Sequence, residues 1–323
     1  MEQIREKLGE FGVLTGFLHE PSPEMANVQA WPGILVLPGG GFRMCSDREA
    51  EPVAMAFYAR GYNAFVLHYT TVTDKPDATI ADPMRDVEAA LSLIRQKAAA
   101  YRMKEKALAM IGFSGGAHLA ASVAVHGPVR PDALVLGYPG ILHSDLRALE
   151  CPDIETSVDE KTPASFVFVT RDDPVTPPRH ALAFVGALDR AGVDYELHIF
   201  RTGSHGLSLA VPFTSGGDRA MVNPAFARWF DLCCEWLTAK FGEFTVYGVN
   251  DGREGQYSID VPIGKLFADE RAAAVVRSLL PGAEQVMASP MAAKATLRAL
   301  KAFVPQVTDG LLAKMDEELL SIR

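Results

Sequence analysis

Up to about residue 240, short and almost wholly apolar runs alternate with longer stretches whose apolar residues recur every three or four positions. Ile34-Leu35-Val36-Leu37, Asn63 to Tyr69, Ala107 to Ile111, Ala133 to Tyr138, Ser165 to Thr170 and Tyr195 to Phe200 read as strands. Continuous apolar runs are what strands show when helices cover both faces of a parallel sheet. Between them, Asp47 can cap a helix through Tyr58 with Gly61 as its stop. Pro83 to about Arg102 carries Val87, Leu91 and Ile94 at helical spacing. An Ala-rich helix runs to about Val125, and another covers about His180 to Ala191. This alternation predicts a doubly wound, mostly parallel α/β sheet, whose sites form beyond the carboxyl ends of its strands.

Two regions break the rhythm. Residues 140–164 are rich in Asp, Glu, Pro and Ser, and read as a surface excursion placed to overhang the site. Beyond about Phe241 the alternation stops. Val249 to Gly255 is loop-like, and Asp269 to Leu280, Met291 to Phe303 and Thr308 to Leu320 read as three amphipathic helices, punctuated by Pro281-Gly282, Pro290 and Pro305. The expected organisation is an α/β domain over residues 1–240 and a small helical domain or tail over 241–323, in which no chemistry is visible.

Composition narrows the function classes. The 323 residues are 48% hydrophobic and 22% charged, which is ordinary globular usage. Thirty-one Lys and Arg against 40 Asp and Glu give a net charge of −9, the wrong sign for neutralising nucleic-acid phosphates or docking on anionic lipid. Met1 to Lys7 is charged and lacks an apolar core, so no secretory signal is expected there, and no apolar run approaches the ~18 residues of a membrane helix. The four cysteines make neither a metal spacing nor a disulfide framework, and Cys233-Cys234 reads as helix rather than a redox pair. The cytoplasm is the expected location. No cofactor is implied, and the His, Asp and Glu residues show no metal-ligand spacing. A small-molecule substrate is the expected partner. A homo-oligomer is a further expectation, with the tail's apolar faces on the larger domain or on a second subunit.

The chemistry concentrates in Gly112-Phe113-Ser114-Gly115-Gly116, a G-x-S-x-G pattern lying after a buried strand and before a helix. Its glycines permit the sharp turn that lifts a serine hydroxyl over the sheet, and the helix N-terminus favours developing negative charge. Such a serine needs a base. Of the eight histidines, His143, His180, His198 and His205 follow Ser114 at distances to be weighed. His143 precedes the acid position, His180 opens a helix and His198 lies inside a strand. His205, in Thr202-Gly203-Ser204-His205-Gly206, sits in a loop just after a strand and is the expected base. The acid should end a strand between the two. Asp172 and Asp173 both qualify, and the Asp-Asp-x-Val spacing favours Asp172. Gly115 and the loop Pro38-Gly39-Gly40-Gly41-Phe42 can present backbone N–H groups to an oxyanion. A phosphate-binding loop is the competing reading, but neither G-x-G-x-x-G nor Gly-Lys-[Ser/Thr] is present.

Pro38 to Ala50 followed by Gly112 to Ala120 resembles the α/β-hydrolase serine esterases of the acetyl-xylan and feruloyl esterase-like group, related to dienelactone hydrolases and to the HGGG esterases. The resemblance covers roughly residues 30 to 240 and includes Thr162-Pro163, Asp172-Asp173 and the Gly203-Ser204-His205-Gly206 loop. It implies the α/β-hydrolase fold with a Ser114, His205, Asp172 triad, oxyanion donors on Gly40, Gly41 and Gly115, and hydrolysis of carboxylic esters through an acyl-enzyme. No large insertion surrounds the site in the sequence, which suggests a short acyl group, so acetyl esters of xylo-oligosaccharides are the expected substrates. Two departures stand out: Pro38 occupies the histidine position of HGGG, and the elbow reads Ser-Gly-Gly-Ala where the group has Ser-Ala-Gly-Gly. The tail is similar to small tails of bacterial carbohydrate-active hydrolases. Phe42, Arg43, Tyr69 and Tyr138 lie at strand ends where a substrate would rest, each placed either to stack on it or to fill space under a loop. His118, one helical turn past Ser114, suits a structural hydrogen bond. The competing functions are a prolyl-oligopeptidase-like peptidase, which lacks its propeller here, and a non-catalytic ligand-binding protein of the same fold.

Overall fold

The apolar runs become the buried middle of an eight-stranded sheet. In the computed structural model the described residues are all except 26, 143–148, 150–153, 245–256, 289–291 and 323. The strands are β1 (Glu2–Leu8), β2 (Gly12–Leu18), β3 (Trp31–Leu37), β4 (Asn63–His68), β5 (Met103–Phe113), β6 (Ala133–Gly137), β7 (Ser165–Thr170) and β8 (Tyr195–Phe200). Their order is β1-β2-β4-β3-β5-β6-β7-β8. All neighbours from β4 to β8 run parallel, and only β1 and β2 are antiparallel to what they pair with. β3, β6 and β7 are buried along their whole length, as their uninterrupted apolar sequences require. The β1–β2 hairpin was not legible in the sequence. β1 alternates charged, exposed residues with half-buried ones, and such charges on an edge strand oppose pairing with another chain.

Among the described residues six α-helices accompany the sheet: α1 (Glu51–Tyr58), α2 (Ala81–Gln96), α3 (Gly115–His126), α4 (Arg179–Arg190), α5 (Pro224–Ala227) and α6 (Trp229–Phe241). α1 begins after a 3-10 turn at Asp47–Glu49, where a single helix from Asp47 was expected. α2 ends at Gln96 and not near Arg102. The chain must reverse into β5, so Arg102 takes a positive φ of 50° and its carbonyl accepts from Trp31 N at 2.9 Å. Cys233 and Cys234 lie on α6, buried and unpaired as thiols.

The sheet order fixes where the site can be. β4 lies on one side of β3 and β5 on the other, so the chain changes direction across the sheet at β3 and β5. The loops leaving these two strands emerge side by side, with Leu37 paired to Gly112. Helix α3 leaves this point in close contact with the end of β3. A Cβ built on Gly116 would lie 2.3 Å from Leu37 O and 2.4 Å from Pro38 O. Both atoms are backbone, so no side chain can give way. Gly116→Ala is therefore expected to cost about 2 kcal/mol or more, lowering the thermal midpoint by roughly 4–8 °C. An unchanged midpoint in a melting experiment would contradict so close an approach.

The described chain divides into two compact units, residues 1–20 with 30–243, and residues 21–29 with 244–323. The assignment of 21–29 to the second unit had no signal in the sequence. That unit contains α7 (Ile263–Leu266), α8 (Glu270–Leu279), α9 (Leu297–Leu300) and α10 (Asp309–Leu320), with its own core of Ile263, Leu266, Val276, Leu297, Leu312, Met315 and Leu319. Asp269, Thr296 and Thr308 cap α8, α9 and α10 with their side chains. The helix expected over Met291 to Phe303 is instead a 3-10 turn and the four residues of α9. Met291 itself and the Val249 to Gly255 loop lie outside the described residues, as does most of the stretch of the 140–164 excursion from His143 to Asp153. Among the described residues no helix is long and apolar enough to cross a membrane.

Candidate active site

Ser114 is the single residue between β5 and α3, and it turns the chain with φ 51° and ψ −117°. A non-glycine residue in this region stores about 1–3 kcal/mol of strain. The conformation is held by Ser114 N donating to Gly137 O at 3.0 Å and by His118 N donating to Ser114 O at 3.0 Å. Oγ is left 2.7 Å from His205 Nε2. His205 comes from the loop after β8, which is fastened at both ends. Thr170 Oγ1 donates to Gly203 O at 2.7 Å, Asn223 Nδ2 donates to Thr202 O at 2.7 Å, and Trp229 Nε1 donates to Ser208 O at 2.9 Å.

The carboxylate that meets the imidazole is Asp173, not Asp172. Asp173 Oδ2 lies 2.8 Å from His205 Nδ1. Its Oδ1 accepts from Val175 N at 2.8 Å and Thr176 N at 2.9 Å. Asp172 is exposed, and its Oδ1 accepts from Gly203 N at 2.7 Å, holding the start of the histidine loop. The reason is the turn after β7. It closes with Asp173 N on Thr170 O at 3.5 Å, which leaves Asp172 at the outer corner and brings Asp173 back over the strand ends. Burial alone would raise the Asp173 carboxyl, but the hydrogen bond and positive charge of His205, with the Thr176 and Val175 amides, hold it below its ordinary value. Thr176 is a residue that sequence reasoning missed. Its hydroxyl donates to Tyr138 O at 2.9 Å and sits 3.2 Å from His205 Nδ1, giving that N–H a second acceptor.

The loop after β3 supplies the other half of the site. A Cβ built on Gly115 would have Gly41 Cα and Gly41 N at 3.3 Å and Phe42 N at 3.5 Å as its nearest neighbours. Among the described residues, the N–H groups of Gly40, Gly41, Phe42 and Gly115 meet no acceptor. Of the two loop glycines expected as donors, Gly41 thus stands beside Gly115. Gly40, at φ 126°, faces Met44 and takes Arg43 N onto its carbonyl at 3.0 Å, closing the loop. The amide of Phe42 is the unexpected neighbour.

The structure separates the two readings of Phe42, Tyr69 and Tyr138, stacking on substrate and filling space under a loop. Phe42, Tyr69 and Tyr138 are 2%, 1% and 1% exposed, and so leave no face for a sugar. Tyr69 Oη donates to Pro38 O at 2.7 Å, Tyr138 Oη donates to Glu49, and the Phe42 ring packs between Tyr69 and His118. Of the two readings of these aromatics, the second holds: they fill the volume beneath the loops. Arg43 is exposed beside them. His118 is buried with Nδ1 2.8 Å from Gly140 O, and His180 is buried with Nδ1 accepting from Ile141 N and Leu142 N. His198 pairs with Glu196 within β8, and His143 lies outside the described residues. Among the described residues no group of three or more His, Cys, Asp or Glu side chains is arranged to hold a metal ion.

Serine, histidine and aspartate stand in relay at a strand-to-helix turn, and comparison with known proteins gives the chain's family. A family model described as BD-FAE matches residues 22–133. An α/β-hydrolase enzyme from a Medee basin deep-sea metagenome library is 39% identical, with a TM-score of 0.70, over 75% of this chain and 99% of the other. The chain belongs to the α/β-hydrolase family. An acetyl ester-xyloside bifunctional hydrolase from Caldicellulosiruptor lactoaceticus shares 30% identity with this α/β-hydrolase at a TM-score of 0.62, over 72% of this chain and 89% of that one. An endo-1,4-beta-xylanase B of Butyrivibrio fibrisolvens is 34% identical over 229 residues, 61% of this α/β-hydrolase and 36% of the relative. An acetylxylan esterase and a carboxylesterase are also similar to it. The chain spans between 36% and 42% of the length of these two curated relatives.

Proposed function

We propose that this α/β-hydrolase is a serine carboxylesterase that removes acetyl groups from xylo-oligosaccharides or similar small carbohydrate esters. The observation that carries the reading is the relay from Ser114 Oγ through His205 to Asp173, at 2.7 and 2.8 Å. With Nδ1–H committed to Asp173, Nε2 is free to take the serine proton as Oγ attacks the ester carbonyl. The Gly115 N–H and the N–H groups of Gly40, Gly41 and Phe42 in the loop after β3 are the donors for the negative charge that develops on the carbonyl oxygen, each well-placed one contributing about 3 kcal/mol. The imidazolium then returns its proton to the leaving alcohol. Water, activated by the same imidazole, hydrolyses the acyl-enzyme and restores Ser114. Asp173 keeps the ring oriented and opposes its positive charge without taking up the proton.

Similarity to an acetylxylan esterase and to an acetyl ester-xyloside hydrolase favours the acetyl sugar ester. In this reading the enzyme works in the cytoplasm on imported oligosaccharides, which suits the free thiols of Cys45, Cys233 and Cys234. The test is a panel of acetylated xylo-oligosaccharides, feruloylated oligosaccharides and p-nitrophenyl esters of increasing chain length. The expected result is acetate release with kcat/KM at least about tenfold above that for feruloyl or longer acyl groups, the scale of one pocket contact of ~1–3 kcal/mol. Preference for feruloyl esters would reassign the acyl group, and turnover of short peptides without turnover of esters would reject the esterase.

A further inference from the structure

Beneath the reacting groups lies a carboxylate that this mechanism does not use. Glu49 ends the 3-10 turn Asp47–Glu49 and is 3% exposed. Its Oε2 accepts from Gly39 N at 2.8 Å, and its Oε1 accepts from Tyr138 Oη at 2.5 Å. Tyr138 Oη accepts in turn from Ser208 N at 3.0 Å, and the Tyr138 ring stands edge-on to the His205 imidazole with 5.1 Å between centroids. One buried side chain thereby joins the loop after β3, the end of β6 and the loop that carries His205. The same turn holds that loop a second time, since Ser208 Oγ donates to Arg48 O at 2.5 Å. Glu49 also lies directly under the nucleophile's turn: a Cβ built on Gly39 would be 2.6 Å from Glu49 Oε2 and 3.1 Å from Ser114 Cβ.

Burying a carboxylate costs several kcal/mol unless its neighbours compensate. Burial pushes the Glu49 carboxyl above its ordinary range, against the opposing pull of the Tyr138 and Gly39 hydrogen bonds and of the positive fields of His205 and Arg48. A fold that needed only to fill this space would do so more cheaply with an apolar side chain. Glu49 instead reaches the oxyanion loop directly, at Gly39, and the histidine loop through Tyr138, whose Oη takes Ser208 N; Gly39 and Ser208 are separated by more than 160 residues of sequence.

We infer that Glu49 is a positioning residue, which aims the oxyanion amides through Gly39 and fixes the place of His205 through Tyr138 and Ser208, so that the two halves of the site move as one. Its activity arm rests on the esterase reading above, and its structural arm does not.

The experiment measures amide hydrogen exchange and steady-state hydrolysis of p-nitrophenyl acetate for the full-length protein and for Glu49→Gln, Tyr138→Phe and the double variant. Glu49 makes no hydrogen bond to Ser208, and Tyr138 makes none to Gly39. Coupling nevertheless predicts about tenfold faster exchange at Ser208 N–H in Glu49→Gln and at Gly39 N–H in Tyr138→Phe, while β6 and β7 amides keep wild-type protection. It also predicts kcat lowered by about 10- to 100-fold with KM held within about twofold, and a double variant no worse than the more damaged single one. Tyr138→Phe deletes one oxygen and keeps the buried ring, so it carries the test if Glu49→Gln does not fold. Faster exchange confined to the amide bonded to the replaced side chain, or kcat effects that multiply, would overturn the inference. Coupled exchange in a wild type that does not turn over acetyl esters would uphold it while rejecting the esterase.

Discussion

Ser114→Ala is expected to lower kcat toward acetyl esters by about 10⁶-fold, leaving only the slow hydrolysis that oriented amides can promote. The loss is that of the nucleophile itself: the alanine methyl keeps the turn but has no oxygen 2.7 Å from His205 Nε2. A fluorophosphonate should label the wild type at Ser114 and leave the variant unlabelled. Stability makes the result specific. Ser114 sits at φ 51°, where alanine is strained as serine is, so Ser114→Ala should melt within a few degrees of wild type. Glycine adopts that conformation freely, so Ser114→Gly should be as inactive and yet more stable by up to about 1 kcal/mol. A strained residue whose relief stabilises the protein and destroys activity is there for the reaction. Turnover by Ser114→Ala at the wild-type rate would remove serine catalysis altogether.

Most of the sheet was legible because its strands are buried on both faces. β7 falls on the residues that the apolar pattern picks out, since a short apolar run between turn residues has few other ways to fold. The edge was not legible for the converse reason. Ile4 and Leu8 are the only apolar residues of β1, and a half-exposed strand of mostly charged residues carries almost no periodic signal. The end of α2 was misread because Lys97 to Ala100 favour helix locally, and only the pairing of Arg102 O with Trp31 N across the sheet overrides that preference.

The site divided along a similar line. Ser114 and His205 lie in short glycine-flanked loops directly after strands, so chain order and turn chemistry were enough to mark them. Glu49 and Thr176, and the hydrogen bonds of Tyr138, were hidden because they depend on contacts far away in sequence, Glu49 to Tyr138 across 89 residues and Tyr138 to Ser208 across 70. Glu49 in particular reads as one more charged residue ahead of a helix. Its burial is decided by the two loops that close over it.

Asp173→Asn is expected to lower kcat by about 10⁴-fold, and Asp172→Asn by no more than about threefold, although the two aspartates are adjacent. An asparagine at 173 would offer its amide to Val175, Thr176 and His205 together. Either it turns its NH2 toward His205 Nδ1, which drives the ring proton to Nε2 and removes the base facing Ser114, or it turns the NH2 toward two backbone donors that need an acceptor. At 172 the asparagine carbonyl can still accept from Gly203 N, and the position is exposed, so little is lost. Acid unfolding tests Asp173 a second time. Asp173 is held below its ordinary carboxyl value, so it binds protons less readily in the folded than in the unfolded state. Its contribution to stability is complete above the unfolded value of about 3.9 and is lost as pH falls below that through the lowered native one. Asp173→Asn should flatten this loss in an acid titration of stability. Equal activity losses in the two variants would mean that the imidazole takes its orientation from somewhere other than the 2.8 Å contact with Asp173.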